Sequence, residues 1–169
     1  MEIERKFLFK NIPFDLNNYD CFYMEQAYIS TNPVIRIRSK EDCQEEKSKK
    51  YILTIKSKGL MTRQEYEMQI SKEEYENLLH KVEGNLIQKK RYLIPVSHGY
   101  TLELDVFEGI FSGLIIGEIE YPTEEAAKKY TPSNLEFEEV TFDNTFHNST
   151  LSSMSKDKIY DLFARLNSW

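Results

Sequence analysis

The chain reads as a mainly β protein (α+β) in which about eight antiparallel strands carry three helices laid against them. Three observations predict this. Eight segments rich in Ile, Leu, Tyr, Phe or Thr follow one another with short polar or turn-forming connections. Charges recur within them at every second residue, the period of a strand whose successive side chains face opposite ways. Three further segments place apolar residues at helical spacing. Short connections favour antiparallel pairing, and about eight strands can close into a barrel wide enough for one small ligand.

The first strand is expected over residues 2–9, with Glu2, Glu4 and Lys6 on one face and Ile3 and Phe7 on the other. Strands over 22–30 and 34–40 are separated by Asn32-Pro33, and the polar run Glu41 to Lys50 reads as a hairpin loop. Strands over 50–57 and 63–70 flank a turn that begins at Lys58-Gly59. Ser71-Lys72-Glu73-Glu74 is a capping box that opens a helix running to Val82, with Tyr75, Leu78, Leu79 and Val82 as its apolar stripe. Strands over 86–94 and 100–107 meet at a hairpin tip, His98-Gly99, and the eighth covers 114–121. A second helix spans Thr123 to Tyr130, just after Pro122. A third, Lys156 to Asn167, carries Ile159, Leu162, Phe163 and Leu166 on one stripe. With no repeat and no low-complexity linker, residues 1–169 are expected to form one domain ending in the 156–167 helix.

Composition narrows the function. The net charge of -6 argues against a general nucleic-acid binder, which usually shows a basic excess. Cys21 and Cys43 sit in no CxxC pattern, so neither a disulfide framework nor a zinc site is expected. His80, His98 and His147 lack metal-ligand spacing and are expected to be solvated or structural. No apolar run approaches the ~20 residues of a membrane span, and the charged start is no signal peptide. A cytoplasmic protein with no membrane partner is the expectation.

Seven segments place charged pairs at i, i+2. Glu2 and Glu4 lead to Lys6; the others are Arg36/Arg38, Lys56/Lys58, Glu65/Glu67, Lys89/Arg91, Glu103/Asp105 and Glu118/Glu120. The ordinary reading of such a pattern is charges outward to solvent and apolar residues inward. Two features favour the reverse. Like charges on one face gain nothing from each other, whereas a surface usually mixes signs, and the helices can cover the apolar face from outside. Eight carboxylates and seven cations would then face a barrel interior. Buried charge is costly without partners, and a polyanion bound with divalent metal offsets that cost. Carboxylate oxygens suit Mg²⁺ or Mn²⁺; Arg forks suit phosphate oxygens. A triphosphate fits both demands.

Glu2-x-Glu4-x-Lys6, Arg36-x-Arg38, Thr54-x-Lys56, Glu65-x-Glu67, Lys89-x-Arg91, Glu103-x-Asp105 and Glu118-x-Glu120 resemble, in order, the CYTH superfamily, also called triphosphate tunnel metalloenzymes. The closing stretch Glu139-Val140-Thr141-x-Asp143 with Asn148 and Leu151 looks like its bacterial short form. The resemblance implies a closed eight-stranded antiparallel β-barrel forming a charged tunnel, with helices outside. It also implies metal-dependent hydrolysis of a triphosphate, foremost inorganic triphosphate to pyrophosphate and phosphate, with Mg²⁺ or Mn²⁺ as cofactor.

By position, Lys6, Arg36, Arg38, Lys56, Lys89 and Arg91 are implied to bind the triphosphate, with Lys58 joining them from the i, i+2 pattern. Glu2, Glu4, Asp105, Glu118 and Glu120 are implied to hold metal. Glu65, Glu67 and Glu103 either support those ligands or hold a second ion. Glu4 and Lys6 with Glu65 and Glu67 form the expected catalytic set, one of the last two orienting or deprotonating water. Adenylate cyclase, thiamine triphosphatase and a non-catalytic polyphosphate- or nucleotide-binding module remain as alternatives. The first needs an adenine pocket that no motif announces. The second needs an aromatic wall, for which Tyr28, Tyr51 and Trp169 are available, and the third predicts loss of the carboxylates that are present here. Phe146 stands where Tyr is common in the family and Ser152 where Ala is common. Some relatives plug the tunnel with a basic residue of a C-terminal helix, for which Lys156, Lys158 and Arg165 are candidates.

Overall fold

All eight expected strands are present in a computed structural model that describes residues 1–45 and 48–169. Among the described residues the strands are β1 (Glu2–Leu8), β2 (Asp20–Thr31), β3 (Val34–Asp42), β4 (Lys50–Lys56), β5 (Thr62–Arg63), β6 (Glu65–Ile70), β7 (Ile87–Pro95), β8 (Thr101–Glu108), β9 (Ile115–Glu120) and β10 (Glu138–Glu139). The helices are α1 (Lys72–Leu79), α2 (Glu124–Lys129), α3 (Asn148–Ser153) and α4 (Lys156–Asn167). The sheet runs β10-β1-β9-β8-β7-β2-β3-β4-β6, antiparallel at each pairing. One residue before β6, the two-residue β5 turns back to β1, pairing Arg63 with Glu2 and Thr62 with Ile3. That short ladder brings the two ends of the sheet together, and the barrel is nearly closed.

Register decides which side chains enter the barrel. Lys6 lies opposite Glu118, Glu118 opposite Glu103, Arg91 opposite Asp105, Arg36 opposite Thr54 and Lys56 opposite Glu65. Directly opposed residues share a face, so the charged positions of seven strands converge inside. At one end the inward row turns apolar. Leu8, Ile87, Phe107 and Ile116 join Phe111, Leu114, Phe146, Leu151 and Leu162 in a buried cluster that plugs the barrel. The stripe expected on α4 serves this plug, with Ile159, Phe163 and Leu166 packed against it.

Outside, α1 lays Tyr75, Leu78 and Leu79 on Ala27, Ile37 and Ile70. The capping box is formed in both directions between Ser71 and Glu74. The helix stops at Leu79, short of the expected Val82, because Lys81 and Val82 donate to carbonyls only three residues back, which tightens the last turn. Around β1, Ile3, Phe7 and Phe9 pack with Ala127, Tyr130 and Phe137. Between them the buried Arg5 donates to Glu139 at 2.7 and 2.8 Å and to the carbonyls of Ala127, at 2.8 Å, and Tyr130. It thereby closes the C-terminal end of α2. The His98-Gly99 tip adopts φ of 63° and 75°, the left-handed region that Gly enters freely and His tolerates less well.

Three expectations need correction. Cys21 and Cys43 form a disulfide with Cα atoms 5.5 Å apart. The β2–β3 register sets Phe22 opposite Asp42 and so brings the flanking cysteines together, a proximity invisible in their sequence spacing. The loop expected over Glu41–Lys50 is shortened by β3, which runs to Asp42; residues 46 and 47 lie outside the described residues. Helix α3 had no sequence prediction. Its six residues, NSTLSS, carry no long apolar stripe and, apart from Leu151, no strong helix former.

Candidate active site

The charged interior encloses a cavity of about 300 Å³, at the small end of ligand-sized sites. It is lined by seven carboxylates (Glu2, Glu4, Glu65, Glu67, Glu103, Glu118, Glu120) and seven cations (Lys6, Arg36, Arg38, Lys40, Lys56, Arg63, Arg91). Burying so many charges is tolerable only because most have a partner, and the partners divide the site into two parts.

Asp105 is the centre of the first part. It is fully buried, accepts from Lys89 Nζ at 2.6 Å and receives Arg91 as a fork, Nε at 2.7 Å and Nη2 at 2.8 Å. Burial alone would raise its carboxyl, but Arg91 and Lys89 outweigh burial and hold it below the usual range. Burial pulls Lys89 down to about 8, helped by Arg91 and opposed by Asp105. Arg91 reaches on to Glu103 at 2.8 Å and Glu118 at 3.8 Å, and Lys6 meets Glu118 at 3.4 Å. Burial would raise Glu118, yet Lys6, Arg91 and Lys89 hold it well below the ordinary carboxylate range.

The second part is short of positive charge. Glu4 pairs with Arg63 at 3.2 Å and Glu2 with Lys56 at 3.1 Å. Even so, burial, with Glu118 and Glu2 nearby, pushes Glu4 up to about 7 against the relief from Lys6 and Lys56. Glu120, opposite Glu4 across the β1–β9 ladder, is raised by burial and then by Glu2, Glu103 and Glu4. Burial likewise raises Glu103, against the pull of Arg91. Across the cavity Arg36 stands 3.2 Å from the Thr54 hydroxyl and 3.9 and 3.8 Å from Glu65 and Glu67; Arg38 is 3.6 Å from Glu67. The Nε atoms of Arg36 and Arg38 are buried with no hydrogen-bond partner among the described residues. Burial, with Arg36 and Arg91 alongside, lowers Arg38 to about 10.

Of the residues singled out in the sequence, Glu2, Glu4, Lys6, Arg36, Arg38, Lys56, Glu65, Glu67, Arg91, Glu103, Glu118 and Glu120 all line the cavity. Two cations do not. Lys58 lies exposed in the turn after β4, where the strand period has ended, and Lys89 sits behind the wall on Asp105. Lys40 and Arg63 take their places. Both obey the same two-residue period: Lys40 extends the row Arg36-x-Arg38-x-Lys40 one step beyond the pair, and Arg63 precedes Glu65-x-Glu67 with the opposite sign and so belongs to no like-charged pair. Asp105, expected among the metal ligands, has both oxygens engaged by Lys89 and Arg91 and anchors cations in this arrangement. Tyr28 lines the cavity, whereas Tyr51 packs on Tyr75 outside and Trp169 ends the chain.

A family model described as CYTH domain matches residues 1–156. The chain is a CYTH domain protein. It is 36% identical over 152 residues to an inorganic triphosphatase of Nitrosomonas europaea, covering 89% of this chain and 96% of that protein. To an inorganic triphosphatase of Acetivibrio thermocellus it is 34% identical over 154 residues, covering 89% and 92%. The crystal structure of the inorganic triphosphatase NE1496 matches with a TM-score of 0.63 and 33% identity over 92% of this chain and 96% of that one. Proteins of this family are in general metal-dependent.

Against the family pattern, Phe146 is buried in the apolar plug, where a hydroxyl has no place, and the Ser152 hydroxyl donates to the Ser149 carbonyl at 2.7 Å. None of Lys156, Lys158 and Arg165 lines the cavity of this CYTH domain. All three are exposed on α4, and Arg165 pairs with Asp143 at 3.1 Å and Glu138 at 3.6 Å. The start of α3 reaches the interior instead, bringing His147, Asn148 and Ser149 into the lining.

Proposed function

We propose that this CYTH domain is an inorganic triphosphatase that splits inorganic triphosphate into pyrophosphate and phosphate. The observation that carries the reading is the set of cations converging on the cavity, with Arg36 and Arg38 holding buried Nε donors that have no partner. Phosphate oxygens supply acceptors for guanidinium forks. Both relatives named above are inorganic triphosphatases matched over most of their length. The cavity is also small, and of the three aromatics available to wall in a heterocycle only Tyr28 faces it. A chain of bare phosphates suits it best.

In this reading Lys6, Arg36, Arg38, Lys56, Arg63 and Arg91 bind and orient the three phosphates. Lys89 acts from behind, with Asp105 fixing the direction of the Arg91 fork. Phosphoryl transfer to water depends mostly on such positioning and charge neutralisation. Glu2, Glu4, Glu118 and Glu120 are the carboxylates to hold Mg²⁺ or Mn²⁺. Their fit rests on hard oxygen donors and on the surplus negative charge that raises Glu4 and Glu120. Among the described residues no three such ligands already converge as a finished cage, since Lys56 and Arg63 occupy Glu2 and Glu4. A bound divalent ion supplies Lewis-acid relief of charge on the phosphoryl oxygens. Glu65 or Glu67 takes the proton of the attacking water, and Glu67 is the more solvent-exposed of the two.

Phosphate release from purified protein tests the reading, with inorganic triphosphate, ATP, thiamine triphosphate and pyrophosphate each supplied with Mg²⁺ or Mn²⁺. A strong preference for inorganic triphosphate is expected, and cyclic AMP formation from ATP overturns it. A cytoplasmic location belongs to the same proposal. A reducing cytosol opens disulfides, so protein drawn from it without oxidation should titrate both Cys21 and Cys43 as thiols. A Cys21–Cys43 disulfide found intact in such protein counts against that location.

A further inference from the structure

We propose that His147 is a substrate-binding residue, its Nε2 donating a hydrogen bond to the innermost phosphate of the bound triphosphate. The inference rests on the triphosphatase reading above and adds a contact that the charged strand pattern does not contain.

The geometry is specific. His147 is 8% exposed, lines the charged cavity, and has a buried Nε2 atom with no hydrogen-bond partner among the described residues. Its chain neighbour Phe146 and, four residues on, Leu151 are both fully buried in the apolar plug. His147 therefore stands where the charged interior meets the apolar end of the barrel. Asn148 beside it also lines the cavity and has an unpartnered Oδ1. Side-chain nitrogens buried inside proteins nearly always have a partner, and one left without is costly. Here the orphan nitrogen borders the cavity on the side where Lys6 and Arg63 act on the ring.

A structural role alone does not account for the imidazole. His147 precedes α3 as its N-cap residue but makes no side-chain capping bond, so the ring is not spent on the helix. Burial, with Lys6 and Arg63 facing it, lowers the ring to about 4 against a pull from Glu118 and from a hydrogen bond to the Thr141 backbone. At neutral pH it then carries one N–H, for which the Thr141 backbone at the other ring nitrogen competes with an acceptor at Nε2. An anionic oxygen opposite Nε2 selects the tautomer with the proton there. Unlike lysine, the ring adds a donor at the end of the cavity without adding a further buried charge beside Lys6.

Two measurements test this. In ¹⁵N-detected NMR of the wild-type protein in EDTA, adding inorganic triphosphate should move the His147 Nε2 resonance to the protonated, hydrogen-bonded range. In steady-state assays with divalent metal, His147→Ala should lose about tenfold or more in kcat/KM for triphosphate, as expected for a hydrogen bond to a charged group. His147→Gln, which keeps an N–H donor, should recover part of that loss. An Nε2 signal that stays put while saturating triphosphate shifts the Arg36 and Arg38 signals overturns the His147 contact and leaves the triphosphatase reading standing. So does a His147→Ala enzyme with wild-type kcat/KM. Wild-type protein that neither binds nor hydrolyses triphosphate overturns both. Should His147→Ala fail to fold, the wild-type NMR titration decides by itself.

Discussion

The cavity has two walls built from the same residue types that behave in opposite ways. On one, Asp105 is fully buried yet held below its ordinary pKa, because Lys89 and Arg91 clasp both of its oxygens. On the other, Glu4 is also buried yet pushed up to about 7, because Lys6, Lys56 and the Arg63 contact fail to offset burial and its neighbours Glu118 and Glu2. Burial is common to both, so the outcome is decided by the balance of directly bonded cations against neighbouring carboxylates. A carboxylate with two cations is a structural anchor that sets where guanidinium groups point. A carboxylate among other carboxylates is a group that a divalent cation relieves. The difference separates holding the site together from using it.

The largest effect should come from breaking the anchor. Asp105→Asn leaves the buried Lys89 without its ion-pair partner and Arg91 with only Glu103 and Glu118, and removing one partner of a buried pair typically costs about 3–5 kcal/mol. Urea denaturation should show a loss of that size, with triphosphate hydrolysis falling as Arg91 loses its direction. A variant as stable as wild type would mean that the two walls do not differ as described.

Glu4→Gln should do the reverse. It removes a carboxylate that the fold already strains to keep charged, so stability should hold or rise while metal-dependent turnover falls by on the order of 10²-fold or more. Phosphate release and urea denaturation on one preparation check both halves. Wild-type turnover in this variant would remove Glu4 from the metal site.

The same contrast has a pH signature. Glu4 is raised to about 7 from 4.5, so the folded state keeps a proton that the unfolded chain gives up, and stability from this group declines as pH rises through that window. His147, lowered to about 4 from 6.5, has the opposite slope over most of the range. Asp105 and Glu118, held low, lose their contributions only below the ordinary carboxylate range. The informative quantity is thus the melting temperature of wild type relative to Glu4→Gln in EDTA. It should fall by a few degrees between pH 5 and pH 7.5, and Mg²⁺ should restore it at the higher pH. A difference independent of pH contradicts the raised Glu4.

Much of this was legible beforehand because a strand has a period of two, and a period survives without knowledge of the fold. Glu2, Glu4, Lys6, Arg36, Arg38, Lys56, Arg91 and Glu118 could be placed inside for that reason. What could not be read depends on pairing between distant segments. That Asp105 faces two cations, that Cys21 meets Cys43 and that His147 reaches the interior are matters of register and of a short helix. None leaves a mark within ten residues of itself. Lys58 failed for a local reason: the period was carried two residues past the point where β4 ends.

That boundary supplies the smallest effect and the cleanest contrast, Lys58→Ala against Arg63→Ala. In the sequence Lys58 continues the Lys56 face, whereas Arg63 stands two residues before Glu65 and joins no like-charged pair. In the barrel Lys58 is exposed in a turn, and Arg63 is carried by β5 to within 3.2 Å of Glu4 as part of the lining. Removing Lys58 should leave stability within about 0.5 kcal/mol of wild type, as for most surface changes, and the KM for triphosphate untouched. Removing Arg63 takes a phosphate-facing donor and the single close partner of Glu4 together. The KM should rise by roughly tenfold, with a further upward shift of Glu4 that makes turnover more demanding of metal at low pH. Equal effects from the two variants would return Lys58 to the site and put the β5 closure of the barrel in question.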